Sequence, residues 1–467
     1  MNRPESKTSL RQLISLVAVI AIPVALQNLL TTTGTMIDTV MIASLGEKSV
    51  GAVGLCAQYA NLMYAGYWGF VGGGMLFFSQ FWGAGNYKAI CCSYGMTVCF
   101  MMISGVVCGS FAVFRPDLVM KLYTDSREIR EIGIRYLRIA GFSFPLQVLA
   151  TAMAALLRSV ERVRIPLIGG IAGVVTNCIC NYILIFGKLG LPAMGVRGAA
   201  IGTVIANAMN VLVVVTLVKA HHMPFVLEIK EHFRWNKALF TEYLKKSFPI
   251  LMNEVFIGIG NMMVAVVLGH QIEEAIAATA VLRTLEGIIT GFFAGFSNAA
   301  SVVVGKEVGA GNHEEAFSRA WRLIYLCMGM TLLVDACLLL LHDPILHAMG
   351  MSGESYRIAT GMLIIFCLVA LIRMGNWCMN DTFRAGGDSR FGSIMELTFM
   401  FLMVQPVIHI ANDIFHVPFL LLFVLCYVDE PVRFVIMQRH MYSARWIKPV
   451  SKEGQRTIDA FRKRYVR

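Results

Sequence analysis

The sequence has little charge, and this shortage excludes more than any other feature of its composition. Only 15% of its 467 residues are Asp, Glu, Lys or Arg, and 57% are hydrophobic, whereas soluble domains carry about 25% charged residues. The chain also lacks CxxC pairs and lacks a His pair at ligand spacing with a carboxylate, which excludes the common zinc sites. Its 12 cysteines fall mostly inside apolar stretches, so a disulfide framework is not expected. Water cannot be the main solvent of this chain.

Long apolar stretches take the place of the missing charge. A helix needs about 20 apolar residues to cross the hydrocarbon core of a bilayer, and its backbone must be hydrogen-bonded internally. We predict an all-α membrane protein with twelve such helices, at residues 13–37, 50–80, 89–114, 132–157, 165–187, 196–218, 248–269, 276–304, 320–341, 358–383, 391–412 and 417–438. The first stretch is too long for a removable signal peptide and lacks a clean cleavage site, so we expect it to be retained.

The net charge of +11 allows two interpretations, nucleic-acid binding or membrane topology. The basic residues concentrate in alternate loops and after residue 438, with clusters that include Arg158, Arg384 and Arg390. This distribution favours topology, because cytoplasmic loops of membrane proteins carry an excess of Lys and Arg. We therefore expect both termini in the cytoplasm and no nucleic-acid partner.

An internal repeat organises the chain. A single offset of 226 residues pairs several separate landmarks without gaps, and the identical GAGN tetrapeptides are the most specific of them. The paired landmarks are Pro23 with Pro249, residues 83–86 with 309–312, Asp117 with Asp343, and Arg158 with Arg384. Since each copy holds six spans, the two copies share one orientation, as in transporters with parallel repeats.

The repeat predicts two pseudo-symmetric six-helix lobes with a cleft between them. We place the N-terminal lobe at residues 1–222 and the C-terminal lobe at 241–438. The basic, amphipathic segment 223–240 is expected to link them along the cytoplasmic surface, and residues 439–467 form a basic cytoplasmic tail.

Ionisable and amide side chains inside the spans mark candidate sites, because polar groups are costly in hydrocarbon. In the first half, Asp38 follows a run of threonines and Gly34, where hydroxyls could solvate an ion and the helix could unwind. Asn177 and Asn181 lie one turn apart and face the same side of their helix. With Asp38 they form a plausible oxygen cage for a cation, and the alternative role for the amides is hydrogen bonding between helices.

In the second half, Glu254 and Glu396 lie inside spans and could each bind a proton or a cationic substrate. Other charged residues favour structural ion pairs. We expect such pairs between Arg283 and Glu286, and between Arg433 and its neighbours Asp429 and Glu430.

A series of ordered motifs is similar to the multidrug and toxic compound extrusion (MATE) family along residues 10–450. The resemblance rests on Asp38-Thr39-Val40-Met41, both GAGN tetrapeptides, Leu157-Arg158, NCICNYILIFG at 177–187, GVRGAAIGT at 195–203, FPILMNE at 248–254, VGKEVGAGNHEEA at 304–316, FRAGGDSRF at 383–391 and Ser443-Ala444-Arg445-Trp446.

The resemblance implies a two-lobed antiporter of the bacterial inner membrane that exports cationic or lipophilic small molecules in exchange for H⁺ or Na⁺. It implies a monomer that needs no cofactor besides the coupling ion and is not an enzyme, so no catalytic residues are expected. In similar proteins, the residues that match Asp38, Asn177 and Thr203 contribute to a cation or proton site. The position of Asn181 is usually Asp, and its loss of charge favours H⁺, while a Na⁺ site would rest on Asp38 and Asn177.

The second half departs from the better-known branch of the family, since Arg373 stands near the place of an acid in the tenth helix. Two other functions remain open. One is a lipid-linked saccharide or metabolite exporter of the same superfamily, which would need extra helices or a strongly cationic cavity. The other is a membrane sensor, which would need an appended soluble domain.

Overall fold

The computed structural model describes residues 9–465, and every regular element among them is helical. The helices of the first half are α1 (Leu10–Ala43), α2 (Glu47–Gly83), α3 (Tyr87–Phe114), α4 (Pro116–Tyr123), α5 (Arg127–Ala140), α6 (Ser143–Ser159), α7 (Arg164–Phe186) and α8 (Val196–Ala220). Two short helices follow, α9 (Pro224–Leu227) and α10 (Ile229–His232).

The second half repeats the order of the first. Its helices are α11 (Lys237–Gly269), α12 (Glu273–Ala310), α13 (His313–Leu340), α14 (His342–Ala348), α15 (Gly353–Gly386), α16 (Ser389–Phe399), α17 (Gln405–His409), α18 (Phe419–Leu425), α19 (Glu430–Tyr442) and α20 (Lys452–Tyr465). The π-helical turn Met400–Val404 joins α16 to α17, and a second π-helical turn, Ile410–Ile414, extends α17 at its end.

The predicted fold class is confirmed. Within residues 9–465, nine helical segments are long and apolar enough to cross a membrane. The pair α5 and α6 supplies a tenth span, bent by 53°, where the sequence had predicted one helix at residues 132–157. Helix α2, with 37 residues, and the pair α18 and α19 correspond to the two remaining spans, so the structure is consistent with twelve.

The 226-residue offset is preserved in the helix boundaries. Helix α3 runs from Tyr87 to Phe114 and α13 from His313 to Leu340, so both ends differ by 226 positions. The turn before each of these helices contains a glycine of the GAGN tetrapeptide with positive φ, 66° at Gly85 and 84° at Gly311. A residue with a side chain is strained in this left-handed conformation, so the repeated turn requires glycine.

The other glycine of each tetrapeptide allows the last turns of α2 and α12 to cross in close contact. A Cβ atom on Gly83 would lie 1.9 Å from the carbonyl oxygen of Lys306, and a Cβ on Gly309 would lie 1.9 Å from that of Gln80. The two contacts are related by the same offset, since 80 and 306, and 83 and 309, are repeat mates. Backbone cannot approach so closely around a larger residue, so the crossing explains why the tetrapeptide is duplicated.

The chain packs as two compact units. One contains residues 22–78 and 86–251, and its core includes the fully buried side chains of Met63, Tyr67 and Phe77. The other contains α1 up to Ala21, residues 79–85 and the chain from 252 onward, with Trp321 and Trp446 in its core.

The C-terminal segment, predicted as a basic tail, contains the ordered helix α20. The ring nitrogen Nε2 of His313 hydrogen-bonds the carbonyl of Gly454 at 2.9 Å, and Arg464 pairs with Glu314 at 3.0 Å. Phe461 is 5% exposed. These contacts hold α20 against the beginning of α13.

Candidate functional site

Three predicted site residues of the first half meet in one cluster. Asp38 lies on α1 and is half-buried, while Asn177 and Asn181 lie on α7 and are 9% and 1% exposed. The amide nitrogen of Asn181 donates to Oδ1 of Asp38 at 2.7 Å. When the amide of Asn177 is turned so that its nitrogen faces the carboxylate, it donates to both oxygens, at 3.1 and 2.5 Å. A single carboxylate is therefore bracketed by two amides from the neighbouring helix.

The amide of Asn177 has a second useful orientation. With its oxygen turned toward Asn181, it accepts a hydrogen bond from that residue at 3.3 Å. The side-chain oxygen of Asn181 itself is buried without a hydrogen-bond partner among the described residues. The cluster thus contains both donors and acceptors close to the carboxylate, so it can adapt to a change in the charge of Asp38.

Close packing of α7 and α8 fixes the position of Asn181. A Cβ atom on Gly202 would lie 2.1 Å from Oδ1 of Asn181, and a Cβ on Gly198 would lie 2.6 Å from the backbone of Leu184. Both glycines belong to the segment GVRGAAIGT. They bring the two helices into contact at the level of the carboxylate.

Thr203 lies at the edge of this cluster, and its hydroxyl donates to the carbonyl of Ala199 at 3.0 Å. Tyr136 of α5 lies beside Thr203 and within electrostatic reach of Asp38. Tyr136 was not predicted from the sequence, because an uncharged tyrosine is not conspicuous in an amphipathic span. It adds a hydroxyl to the cluster from a third helix.

The sequence suggested that α1 could unwind at Gly34, but the helix continues without a break from Leu10 to Ala43. A Cβ on Gly34 would lie 3.2 Å from Val174, so this glycine serves the contact between α1 and α7. The hydroxyls of Thr31 and Thr35 donate to backbone carbonyls four residues earlier in the same helix. The hydroxyl hydrogens of these threonines are therefore used in bonds to the helix backbone, and only the oxygen lone pairs remain available to an ion.

The second half contains a different cluster, built around Arg384 of α15. Its guanidinium lies 3.3 Å from Glu254 of α11, 3.5 Å from Asp381 one turn earlier, and 3.9 Å from Glu396 of α16. Asn253 donates to Glu396 at 2.6 Å, and Ser297 of α12 hydrogen-bonds Asp381. The structure thus brings the two predicted acids together and adds a third acid and a cation.

The charge of this cluster is unbalanced. Three carboxylates surround one guanidinium, and their side chains are between 12% and 27% exposed. If all four groups are ionised, the cluster carries two excess negative charges. Buried charge of one sign is costly unless it is paired, so this arrangement favours the uptake of protons or of an organic cation.

Arg384 was grouped with the cytoplasmic basic residues in the sequence analysis, but its side chain is only 14% exposed. Its repeat mate Arg158 is partly buried as well, and donates to Oε1 of Gln27 at 2.7 Å. That both halves have an arginine at this repeat position was the sequence signal that the two side chains lie inside the fold. Asp381 precedes Arg384 by one turn and could have been found through the same motif.

One predicted ion pair is wrong. Glu286 pairs with Arg373 of α15 at 2.5 Å rather than with Arg283, which is exposed. The local spacing of Arg283 and Glu286 concealed a partner on a helix distant in sequence. The guanidinium of Arg373 also lies 5.4 Å from the ring centre of Tyr427, a cation–π contact.

The predicted local pairs of α19 are confirmed. Arg433 lies 3.1 Å from Asp429 and 3.3 Å from Glu430. Asn376 also donates to Glu430, at 2.7 Å. Glu430 therefore joins α15 to α19, whereas the pair of Asp429 and Arg433 lies within the last helix.

Asp335 on α13 is a further buried acid, 4% exposed, that the sequence analysis did not single out. Neither of its carboxylate oxygens has a hydrogen-bond partner among the described residues, and the thiol of Cys367 is its polar neighbour. An acid near the end of a span is easily mistaken for a helix cap, which is why the pattern alone did not reveal it.

The donors present near Asp38 are oxygens of a carboxylate and two amides, the ligand types that hard cations prefer. Among residues 9–465, no group of three His, Cys, Asp or Glu side chains is arranged to hold a metal ion. The first-half cluster itself offers one carboxylate and two neutral amides.

Comparison with known proteins adds evidence on the repeat. The family model MatE matches the chain twice, at residues 23–183 and 249–409. The two matches begin 226 residues apart, 249 minus 23, and end 226 residues apart, 409 minus 183. The family model therefore matches each of the two copies inferred from the GAGN tetrapeptides.

Relatives match over nearly the full length. The chain is 23% identical over 420 residues to "Uncharacterized transporter YisQ" of Bacillus subtilis, covering 88% of this chain and 90% of that protein. It is 23% identical over 443 residues to "Probable multidrug resistance protein NorM" of Thermotoga maritima, covering 92% of each. A crystal structure of MATE in complex with MaL6 superposes with a TM-score of 0.81 at 16% identity, covering 94% of this chain and 100% of the other. At that identity, the superposition shows a shared two-lobed fold.

Proposed function

Since the chain belongs to the MatE family of multidrug and toxic compound extrusion (MATE) transporters, we propose that it is a secondary active antiporter in a bacterial inner membrane. It exports cationic or lipophilic small molecules in exchange for H⁺ or Na⁺, with both termini in the cytoplasm. Asp38 is the coupling carboxylate. The chain acts as a monomer with two six-helix lobes, residues 1–222 and 241–438.

The observation that carries this proposal is the pair of amides around Asp38. A coupling residue must change its charge during the cycle and remain hydrogen-bonded in both states, because an unsatisfied polar group inside the protein is costly. Asn181 and Asn177 donate to the carboxylate at 2.7 and 3.1 Å. In the ionised state, both amides therefore stabilise the negative charge.

The same cluster can accommodate the neutral state. Protonation turns one acceptor oxygen of Asp38 into a donor, which then needs an acceptor. The amide of Asn177, with its oxygen facing the carboxylate and Asn181, supplies that acceptor. A site that satisfies a proton in this way favours H⁺ over Na⁺, for which one carboxylate provides the only negative charge.

The cluster around Arg384 supports a role for Glu254 and Glu396 in binding a proton or a cationic substrate. Its excess of negative charge is reduced when either acid takes up a proton or when an organic cation binds near them. A ligand drives a conformational change only through different affinities for the two states. Substrate at this cluster and the coupling ion at Asp38 would therefore favour different states of the transporter.

Reconstituted proteoliposomes test the coupling role of Asp38. Export of a cationic dye is measured after imposing a proton gradient alone or a sodium gradient alone, for the wild type, Asp38→Asn and Asp125→Asn. The last variant removes an exposed loop carboxylate and serves as the matched control. We expect the wild type and the control to respond most strongly to the proton gradient, and Asp38→Asn to lose the gradient-driven component.

Full gradient-driven export by Asp38→Asn would refute the assignment of the coupling residue. A response of the wild type to the sodium gradient alone would identify Na⁺ as the ion and leave the role of Asp38 intact. Absence of dye export by wild-type protein under either gradient, in vesicles where the protein is folded, would contradict drug antiport itself.

A further inference from the structure

A basic cavity of about 460 Å³ lies where α15 passes into α16. Four cationic side chains line it, contributed by the start of α16, the segment after α19, and α20. They are Arg390, Arg445, Lys448 and Arg462. The predicted topology places this end of α15 at the cytoplasmic face, and the cavity is far in sequence from the residues around Asp38.

One acid faces these cations, and its charge is already paired. Asp388 is 4% exposed and lies 2.8 Å from Nζ of Lys448 and 3.1 Å from Nε2 of His440. Burial opposes its ionisation, but these two contacts hold the pKa of Asp388 below its ordinary value. Arg390 and Arg462 form no ion pair within residues 9–465. The cavity therefore carries a surplus of positive charge.

The walls of the cavity are fixed by packing. The ring of Phe391 stacks on His440, with 3.7 Å between ring centres and 18° between planes. His440 in turn contacts Phe383 edge to face at 5.0 Å and bonds Asp388. A ligand would therefore meet a preformed surface, which lowers the entropic cost of binding.

One side of the cavity is apolar and continues along a membrane span. Phe391 and Ile394 line it, and Ile394 is 56% exposed although it belongs to the spanning segment that begins at Ser389. An exposed aliphatic side chain on such a segment is suited to contact with hydrocarbon. The cavity thus combines guanidinium groups at one end with an apolar flank at the other.

We propose that this cavity binds an anionic phospholipid of the cytoplasmic leaflet, with its phosphate on Arg390 and Arg462 and an acyl chain along Ile394. Guanidinium groups bind phosphate oxygens through paired, charge-assisted hydrogen bonds. Basic pockets at the cytoplasmic ends of spans bind anionic headgroups. A soluble phosphate compound would satisfy the arginines alone and would gain nothing from the apolar flank.

A simpler explanation for the same residues is topology, because cytoplasmic ends of spans are basic in any case. That explanation predicts that every exposed cation of the region attracts anionic lipid equally. Helix α20 provides the comparison, since Arg456 and Lys463 are also exposed but do not line the cavity. Replacing these two residues changes the net charge by the same amount as replacing Arg390 and Arg462.

The test uses delipidated full-length protein in neutral detergent, titrated with phosphatidylglycerol or phosphatidylcholine and followed by native mass spectrometry. The variants are the wild type, R390Q/R462Q and the control R456Q/K463Q. We expect the wild type to bind one phosphatidylglycerol in preference to phosphatidylcholine. Loss of both cavity arginines should weaken that binding about 30-fold, while the control should bind as the wild type does.

Thermal unfolding without lipid shows whether each variant is folded. Equal weakening in the cavity and control variants would overturn the proposal, since it would show diffuse attraction by surface charge. Lack of preference for phosphatidylglycerol in the wild type would overturn it as well. A third arm adds inorganic phosphate as competitor, and displacement of the lipid at equal concentration would identify a soluble phosphate as the ligand and refute the lipid assignment.

Discussion

Replacing Asn181 by Asp tests how the first-half cluster chooses its ion. The substitution changes one amide nitrogen into an oxygen and adds one negative charge, with almost no change in volume. Since that nitrogen lies 2.7 Å from Oδ1 of Asp38, the variant places two carboxylate oxygens at a distance where a hydrogen bond had been. We expect the variant to acquire affinity for Na⁺ that the wild type lacks.

The size of the effect follows from Coulomb's law. Two unit charges 2.7 Å apart repel each other by about 6 kcal/mol at an effective dielectric constant near 20. Such a doubly ionised pair would be scarcely populated, so the cluster must take up a proton or another cation. At a pH where protons are scarce, Na⁺ is the available cation, and it can use the oxygens of Asn177 and both carboxylates.

Thermal unfolding of purified protein at pH 8 measures this uptake. A ligand that binds only the folded state at 100 times its dissociation constant stabilises the protein by about 2.7 kcal/mol. We expect NaCl to raise the melting temperature of Asn181→Asp relative to equal concentrations of choline chloride. The wild type and Asn181→Ala, which loses the hydrogen bond without gaining charge, should show no such difference between the salts.

A variant indifferent to Na⁺ at pH 8 would refute this reasoning, because it would show that the two side chains do not share one site. A wild type stabilised by Na⁺ as strongly as the variant would contradict the preference of the cluster for H⁺. Either outcome would be visible in the unfolding data without any assumption about the transported substrate.

Two further predictions concern the second unit. Gly309→Ala should destabilise the protein by about 1–3 kcal/mol, because the new methyl group would lie 1.9 Å from the carbonyl oxygen of Gln80. The control Gly329→Ala in α13 should be tolerated, because a methyl group there meets nothing within 4 Å. Thermal unfolding compares the two variants, and equal melting temperatures would contradict the close crossing of α2 and α12. Asp388, whose pKa is lowered by His440 and Lys448 despite burial, should stabilise the fold at pH values above its unfolded pKa of about 3.9. This stabilisation should be lost as the pH falls through the lower pKa that Asp388 has in the folded state. The difference in melting temperature between the wild type and Asp388→Asn should therefore shrink below about pH 4. A difference that stays constant with pH would contradict a stabilising charge on Asp388.

The helices and the repeat could be predicted from the sequence because they depend on local properties. Each span needs a long apolar run, and each GAGN turn needs glycine at a left-handed position, so both leave signals in a few adjacent residues. The meeting of Asn177 and Asn181 on one face of α7 is also local, since residues four apart in a helix lie side by side.

Contacts between distant helices could not be predicted in the same way. The pairing of Glu286 with Arg373 joins residues 87 positions apart, and the more obvious partner, Arg283, was nearer in sequence. Helix α1 gave a similar error, because Gly34 suggested a break where the structure uses the glycine for a close contact with Val174. In both cases, a residue on another helix decides the outcome.

The two clusters of ionisable residues occur where the duplicated halves differ. One repeat length after Asp38, Asn177 and Asn181 stand Val264, Met403 and Val407, so the first cluster has no copy in the second half. The helices that carry both sets of residues are nevertheless equivalent in the repeat.

The acids of the second cluster likewise have no copies in the first half. One repeat length before Glu254, Asp381 and Glu396 stand Asn28, Ala155 and Gly170, and only the central arginine is kept. Without carboxylates around it, Arg158 donates to the amide oxygen of Gln27 at 2.7 Å, whereas Arg384 has three acids within 4 Å. The duplication therefore accounts for the scaffold and for the two arginines, while the titratable groups around them differ between the halves. Removing one cluster should leave the fold of both halves intact, and this independence is what allows each acid to be tested alone.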